Sequence, residues 1–192
     1  MYWFFKILLY IPVKLFFPTK IIGKKNIVKK EKTILICNHQ SIFDVIILLI
    51  AYPKKIHFLG KKELFSNKFK SWLFKSLGVI PVDRENLQIA SVKQVLKLLK
   101  EDKTIGIFPE GTRNKNQDAE GELQAIKNGV VMFSVKSNTQ IQPAMIQRKP
   151  KFFRKNKIVF GERFSFEEVE NKKDYELMSS IIIEKMNAIK QK

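Results

Sequence analysis

The sequence predicts a single α/β domain with a mostly parallel central sheet flanked by helices. Short apolar runs alternate with amphipathic stretches from residue 33 onward, and polar or charged residues follow several of these runs directly. Strands that alternate with helices in this way are typical of a parallel sheet. The chain has 192 residues, 45% of them hydrophobic, which suits one domain with a sizeable core and argues against wholesale disorder.

Each element follows from its own stretch of sequence. Short apolar runs indicate strands, which we expect at residues 33–37, 56–59, 79–82, 104–108, 140–146 and 157–161. Helical periodicity indicates helices, which we expect at residues 2–17, 41–51, 62–76, 86–100, 128–136 and 174–190. We expect a polar loop over residues 109–127. Residues 1–19 are assigned to an N-terminal helix, and residues 20–192 to the domain.

The charge balance indicates an anionic partner. The chain carries 36 Lys and Arg against 18 Asp and Glu, a formal net charge of +18. Such an excess is expected to attract a nucleic acid, an anionic membrane or a phosphorylated substrate. The single cysteine, Cys37, excludes an internal disulfide and fits a reducing compartment. With two histidines and one cysteine, the chain has no metal-ligand spacing, so we expect no metal.

The N-terminal helix is dense in aromatic residues. Its uninterrupted apolar run, residues 7–13, is far shorter than the about 20 residues that span a bilayer. We favour insertion into a membrane surface over packing on the core, because a lysine-rich stretch, residues 20–32, follows directly. Deletion of residues 1–19 is then expected to weaken vesicle binding more than folding. The expected membrane contacts here are Trp3, Phe4, Phe5, Phe16 and Phe17.

A second basic stretch, residues 148–157, carries two adjacent phenylalanines, Phe152 and Phe153. As a loop between strands it could rest on an anionic bilayer with both rings inserted. The alternative is a solvated basic loop. We count both phenylalanines among the expected membrane contacts.

A histidine and a carboxylate, His39 and Asp44, fall where the strand over 33–37 ends and the next helix begins. Ligands bind in the crevice at such strand ends. A histidine oriented by an aspartate is a general base that works near neutral pH. The alternative for the aspartate is a capping box, in which Ser41 caps the helix and Asp44 reaches back to a backbone N–H.

Cations follow three other expected strands. Arg113 and Arg84 come after the strands over 104–108 and 79–82, and Lys61 and Lys62 come after the strand over 56–59. Since parallel strands end at one edge of a sheet, these cations are expected beside His39, which is the pattern for a phosphorylated substrate. For each cation alone, the alternative is a surface ion pair in a turn.

Four blocks of sequence together resemble the glycerolipid acyltransferase family, of the 1-acylglycerol-3-phosphate (lysophosphatidic acid) acyltransferase type. The blocks are residues 38–44, Asn-His-Gln-Ser-Ile-Phe-Asp; residues 78–84, Gly-Val-Ile-Pro-Val-Asp-Arg; residues 108–113, Phe-Pro-Glu-Gly-Thr-Arg; and residues 141–145, Ile-Gln-Pro-Ala-Met. They occur in the order that the family shows.

The resemblance implies a reaction and a role for each block. His39, oriented by Asp44, would deprotonate the sn-2 hydroxyl of lysophosphatidic acid, and the oxygen would attack an acyl thioester to give phosphatidic acid. It implies acyl-CoA or acyl carrier protein as co-substrate, no other cofactor, no metal and no covalent acyl-enzyme. The implied phosphate-binding residues are Arg84, Arg113, Lys61 and Lys62. The implied site-shaping residues are Asn38, Ser41, Glu110, Gly111, Thr112 and Pro143.

Other functions stay open at this stage. Within the family, the acceptor could be glycerol 3-phosphate or another lysophospholipid. A basic nucleic-acid-binding protein would leave His39 and the aromatic residues of the N-terminal helix unexplained, and an inactive scaffold would not need His39 and Asp44. We therefore expect a protein on the cytoplasmic face of the cell membrane, with an anionic membrane surface as partner and no nucleic acid.

Overall fold

A computed structural model describes residues 1–83, 89–109 and 120–190, with side chains from residue 128 onward in the third segment. Six α-helices lie in these segments: α1 (Tyr2–Phe16), α2 (Ile42–Ala51), α3 (Lys68–Ser76), α4 (Ile89–Lys100), α5 (Glu120–Ser137) and α6 (Tyr175–Asn187). Seven strands lie there as well: β1 (Thr19–Ile22), β2 (Thr33–Cys37), β3 (Ile56–Lys61), β4 (Ile80–Val82), β5 (Thr104–Ile107), β6 (Ile141–Ile146) and β7 (Asn156–Phe160).

The strands form one sheet in the order β1-β7-β6-β2-β5-β3-β4. All neighbouring pairs are parallel except β6 and β7, which are antiparallel. The prediction of an α/β domain with a mostly parallel sheet is thus confirmed. Strands β2 to β6 all end at one edge of the sheet, which we call the carboxyl edge. Chain segments that follow these five strands meet there.

Helices cover both faces of the sheet. Helices α4, α5 and α6 pack on one face, where Leu99, Val131 and Ile182 belong to one buried cluster. Helices α1 and α2 pack on the other, where Val13 and Leu48 join a second cluster. The strands between these layers are buried on both sides, which explains why β2 reads as a continuous apolar run rather than an alternating one.

Two elements differ from the prediction. Strand β1 was not expected, and it pairs with β7 in the register Thr19↔Asn156. Helix α5 begins at Glu120, so the prediction of a loop is wrong over residues 120–127. The stretch is polar and lacks an apolar stripe, but an acidic residue at a helix start is favoured by the helix dipole.

Helix α1 packs on the domain rather than standing apart from it. Tyr2, Val13 and Phe17 are buried, and the Tyr2 hydroxyl accepts a hydrogen bond from the backbone N–H of Ile56. Removal of residues 1–19 would uncover this core, so we expect the deletion to lower the free energy of unfolding as well as vesicle binding. Among the described helices, none is both long and apolar enough to cross a membrane.

Candidate active site

His39 and Asp44 meet at the carboxyl edge. Strand β2 ends at Cys37, helix α2 begins at Ile42, and the imidazole Nδ1 of His39 lies 3.1 Å from Oδ2 of Asp44. The backbone N–H of Ser41 also donates to this oxygen, at 2.6 Å, which completes a capping box. Orientation of His39 and capping of α2 were considered as alternative roles for Asp44. The structure shows both, because the same carboxylate oxygen lies within hydrogen-bond distance of the His39 ring and of the Ser41 backbone N–H.

Three donors converge on that oxygen of Asp44. The backbone N–H of Gln40 donates at 2.5 Å, in addition to Ser41 and the ring of His39. The carboxylate is fully buried at the N-terminus of α2, where backbone N–H groups and the helix dipole favour a negative charge. Its other oxygen, Oδ1, is buried without a hydrogen-bond partner in the described part of the chain. The position of Asp44 is thus fixed by the backbone around it.

The side chain of Asn38 hydrogen-bonds the loop between β2 and α2 to the neighbouring strand, β6. Its amide Nδ2 donates to the carbonyl oxygen of Ile146 at 2.9 Å, and its Oδ1 accepts from the N–H of Ile146 at 2.7 Å. Gln40 Nε2 donates to the same carbonyl at 3.2 Å. The amide of Asn38 therefore continues the pairing of β2 with β6 beyond the end of β2, and together with Gln40 it holds the backbone on either side of His39.

The imidazole of His39 also stacks on an aromatic ring that sequence analysis did not select. Its centroid lies 4.3 Å from that of Phe108, which follows β5, and Phe108 stacks in turn on Phe58 of β3 at 5.8 Å. Gly106 makes room for this stack, since an added Cβ would lie 2.7 Å from the ring of Phe58. The sequence did contain a sign of this residue, because Phe108 is the first residue of the block 108–113. The pattern of neighbouring residues, however, does not predict that its ring contacts His39.

This geometry suits proton transfer. The side chain of His39 is 12% exposed, so a small part of it reaches the surface. When Nδ1–H of a neutral imidazole donates to a carboxylate, the lone pair is on Nε2, where it can accept a proton. Asp44 would then stabilise the imidazolium that forms. The arrangement can act as a general base without a serine nucleophile.

Of the expected cations, the two lysines lie at the carboxyl edge. Lys61 ends β3 and forms an ion pair with Glu63 at 3.7 Å, and Lys62 begins a short 3₁₀-helix, Lys62–Phe65. Both lysines are exposed. The remaining expected residues of this part of the site lie outside the described residues: Arg84, Glu110, Gly111, Thr112 and Arg113.

Pro143 lies in the strand that neighbours β2. It sits within β6, opposite Ile36 of β2 and three residues before the strand ends. An added Cβ on Gly161 would come within 2.8 Å of its ring, so the proline packs against that glycine. The expectation that Pro143 shapes the site stays a prediction. In the segments that the structure describes, no group of three or more acidic, His or Cys side chains could hold a metal ion.

Exposed aromatic side chains lie along α1 and in the loop between β6 and β7. Phe153 donates its backbone N–H to the carbonyl of Phe16, and the rings of these two residues lie 5.3 Å apart. Trp3, Phe4, Phe16, Phe152 and Phe153 are exposed, and Phe5 is half-buried. Phe17, by contrast, is buried against Phe43 with ring centroids 4.6 Å apart, so its expected direct membrane contact is wrong. Because Phe43 belongs to α2 and also contacts Phe152 at 5.2 Å, the end of α1 and the loop of Phe152 adjoin the helix that carries Asp44.

Comparison with known proteins assigns the family. The sequence profile of the family described as Acyltransferase matches residues 18–147. The chain belongs to this acyltransferase family. The matched residues include His39 and Asp44, the Asn38 side chain that hydrogen-bonds to β6, and Phe108 of the aromatic stack. These parts of the site therefore all lie within the region shared with the acyltransferase family.

Similar proteins in this acyltransferase family carry a more specific name. The 1-acyl-sn-glycerol-3-phosphate acyltransferase of Bacillus subtilis (strain 168) is 36% identical over 129 residues, which are 67% of this chain and 62% of that protein. The protein of the same name from Borreliella burgdorferi is 32% identical over 145 residues, 74% of this chain and 56% of that protein. The chain thus spans 62% and 56% of the length of these curated relatives.

A solved structure shares the fold. The crystal structure of the 1-acyl-sn-glycerophosphate (LPA) acyltransferase PlsC from Thermotoga maritima superposes with a TM-score of 0.66 at 21% sequence identity. The similarity covers 90% of this chain and 71% of that one. It therefore extends the shared architecture beyond the residues matched by the profile of the acyltransferase family.

Proposed function

We propose that this protein transfers an acyl chain from an acyl thioester to the sn-2 hydroxyl of lysophosphatidic acid, forming phosphatidic acid in phospholipid synthesis. The observation that carries the proposal is the 3.1 Å contact between Nδ1 of His39 and Oδ2 of Asp44 at the carboxyl edge. The names of the relatives supply the substrate class. Membership of the acyltransferase family favours this reaction over nucleic-acid binding.

The proposed reaction uses one residue as base and then as acid. Nε2 of His39 takes the proton of the sn-2 hydroxyl while that oxygen attacks the thioester carbonyl. The tetrahedral intermediate then breaks its C–S bond, and the leaving thiolate takes the proton back from His39. Asp44 stabilises the imidazolium between these steps. One C–O bond forms, one C–S bond breaks, and the enzyme returns to its starting state.

The acceptor phosphate is proposed to bind to cations at the carboxyl edge. Lys61 and Lys62 lie there, and we assign Arg84 and Arg113 to the same phosphate because a guanidinium group pairs well with phosphate oxygens. Glu110, Gly111 and Thr112 are proposed to shape this part of the site. Asn38 and Ser41 are proposed to hold the loop that carries His39.

The acyl donor is proposed to be acyl-CoA or acyl carrier protein, with no further cofactor and no metal. Both donors are anionic, which suits a chain with a net charge of +18. We propose that residues 1–19, together with Phe152 and Phe153, rest on the anionic cytoplasmic face of the cell membrane. The exposed rings of these segments and their neighbouring lysines support this location.

The test is acyl transfer by the purified protein, with acyl-CoA and acyl carrier protein as donors in separate arms. Glycerol 3-phosphate and lysophospholipids with larger head groups compete with lysophosphatidic acid as acceptors. We expect phosphatidic acid as the main product, and His39→Ala is expected to lower kcat about 10²–10⁴-fold. His57→Gln, which changes the other histidine of the chain, is the matched control and should stay active. An active His39→Ala protein would overturn the mechanism, and preference for another acceptor would overturn the substrate.

A further inference from the structure

Helix α3 presents an apolar surface that the proposed reaction does not use. Phe69 and Trp72 are 68% and 51% exposed, their ring centroids lie 6.0 Å apart, and Leu64 of the preceding 3₁₀-helix is also exposed. We call these three residues the α3 surface. We propose that the α3 surface is a second membrane contact, which rests on the same anionic lipid layer as the N-terminal helix. The inference depends on the membrane attachment proposed above and deepens it.

The α3 surface is not part of the protein core. All nine residues of α3 are exposed or half-buried. The helix is nevertheless held in place at its start, because the side-chain Oδ1 of Asn67 accepts hydrogen bonds from the N–H groups of Phe69 and Lys70, at 2.8 and 3.4 Å. The helix thus displays two adjacent aromatic rings at the protein surface, and contiguous exposed apolar side chains are typical of an interaction site.

The charge around the α3 surface matches an anionic bilayer. Glu63 is the only acidic residue in the segment 61–76, and it is paired with Lys61. Tryptophan and phenylalanine flanked by lysines are typical of helices that lie in the membrane interface, where the rings enter the headgroup region and the ammonium groups stay at the anionic surface. The other lysines of the segment are Lys62, Lys68, Lys70 and Lys75.

The α3 surface lies on the same side of the sheet as the N-terminal helix. The chain crosses from β2 to β3 and from β3 to β4 in the same direction along the sheet order. Right-handed crossovers therefore place α2 and α3 on one face, and α1 packs against α2 on that face. A lipid surface that contacts α1 is consequently on the side where α3 is found.

Membrane contacts through both α1 and α3 would orient the active site toward the lipid layer. Helix α3 follows β3, so its first turn, which carries Phe69, is near the carboxyl edge. Helix α1 ends beside the loop of Phe152 and Phe153, near the start of α2 at the same edge. Two points of attachment at this edge would hold His39 next to the lipid layer from which the acceptor comes.

The two tryptophans of the chain allow each contact to be followed separately, since Trp3 is in α1 and Trp72 in α3. Trp3→Phe leaves Trp72 as the sole reporter, and Trp72→Phe leaves Trp3. Each variant is mixed with vesicles of phosphatidylcholine and phosphatidylglycerol, with or without brominated acyl chains. We expect a blue shift of the emission and quenching by the brominated lipid for both reporters.

The outcomes distinguish this inference from the proposed attachment of α1. Quenching of Trp3 without any response of Trp72 would overturn the contact through α3 and leave that through α1 in place. No response of either reporter would overturn both. A shift of Trp72 on addition of acidic acyl carrier protein, without one on vesicles, would assign the α3 surface to that protein instead.

An activity measurement tests the consequence for the site. The double variant Phe69→Ser/Trp72→Ser is expected to lose activity several-fold on substrate in anionic vesicles and to keep it on substrate in detergent micelles. A folding defect would lower both activities. Leu177→Ser/Ile183→Ser is the matched control, because it removes two exposed apolar side chains from α6 on the opposite face. Equal losses in both double variants on vesicles would overturn the inference.

Discussion

The imidazole of His39 lies nearly flat against the ring of Phe108, with centroids 4.3 Å apart and planes inclined by 28°. The stack fixes the ring plane, and the hydrogen bond to Asp44 fixes the rotation of the ring within that plane. Phe108 follows β5, the neighbour of β2 in the sheet, so the stack joins two adjacent strand ends. The base is thus positioned by one residue that follows β5 and by one residue of α2.

Phe108→Leu is expected to lower kcat about 10-fold while the KM for lysophosphatidic acid changes little, because a misaligned base affects proton transfer more than acceptor binding. Phe108→Tyr keeps the ring and should keep kcat within about two-fold, by the same argument. Steady-state kinetics in detergent micelles, with urea unfolding of each variant, measures both effects. A Phe108→Leu protein that is less stable but has the wild-type kcat would show that the stack serves folding alone.

Asp44→Asn is expected to separate stability from catalysis. The amide keeps the shape of the side chain but loses the charge, so the cap should weaken by about 0.5–2 kcal/mol. Without the carboxylate charge, His39 loses the group that orients its ring and stabilises the imidazolium. The kcat should therefore fall about 10³–10⁴-fold, as it does when the corresponding charge is removed from a serine-protease triad. Urea unfolding and steady-state rates measure the two quantities.

A second helix cap provides the control for Asp44. Asp174 caps α6, accepting a hydrogen bond from the N–H of Leu177 at 2.9 Å, and α6 packs on the opposite face of the sheet from α2. Asp174→Ala should cost a similar stability, about 1 kcal/mol, and leave kcat unchanged. Equal changes in kcat for the two variants would mean that Asp44 acts only through helix stability.

The sequence was sufficient where structure depends on neighbours in the chain. His39 and Asp44 are five residues apart across one strand–helix junction, so the apolar runs on both sides determined where they lie. The sequence was insufficient where structure depends on distant partners. Strand β1 is stabilised by pairing with β7, near the other end of the chain, and nothing within residues 19–22 reveals that partner.

Tertiary packing also decided the roles of single aromatic residues. Phe16 and Phe17 are adjacent and equally apolar, yet Phe16 is exposed and Phe17 is buried. Hydrophobicity alone does not separate these two outcomes, since folded proteins expose much apolar surface. The stack of Phe108 on His39 depends likewise on the order of strands in the sheet, which periodicity does not provide.

The exposed face of α1 should control membrane binding without controlling stability. Ile7 and Ile11 are 71% and 74% exposed, so Ile7→Glu/Ile11→Glu is expected to weaken sedimentation with anionic vesicles and to leave urea unfolding unchanged within about 0.5 kcal/mol. Val13→Ala, on the buried face of the same helix, should instead lower the free energy of unfolding by about 2 kcal/mol. Unchanged sedimentation of the double variant would contradict membrane contact through this face.

His57 should make the stability of the protein depend on pH. Burial lowers the pKa of this imidazole, the ammonium of Lys55 lowers it further, and Nδ1 lies 3.1 Å from the carbonyl oxygen of Gly78. The unfolded chain has a histidine pKa of about 6.5, so both states are neutral above that pH and the free energy of unfolding is highest there. As the pH falls below about 6.5, the unfolded state takes up the proton first, and stability decreases until the pH passes the folded-state pKa. Urea unfolding at pH 7.5 and 5.5 should therefore show a smaller decrease for His57→Gln than for the wild-type protein. An equal decrease in both proteins would assign the pH dependence to groups other than His57.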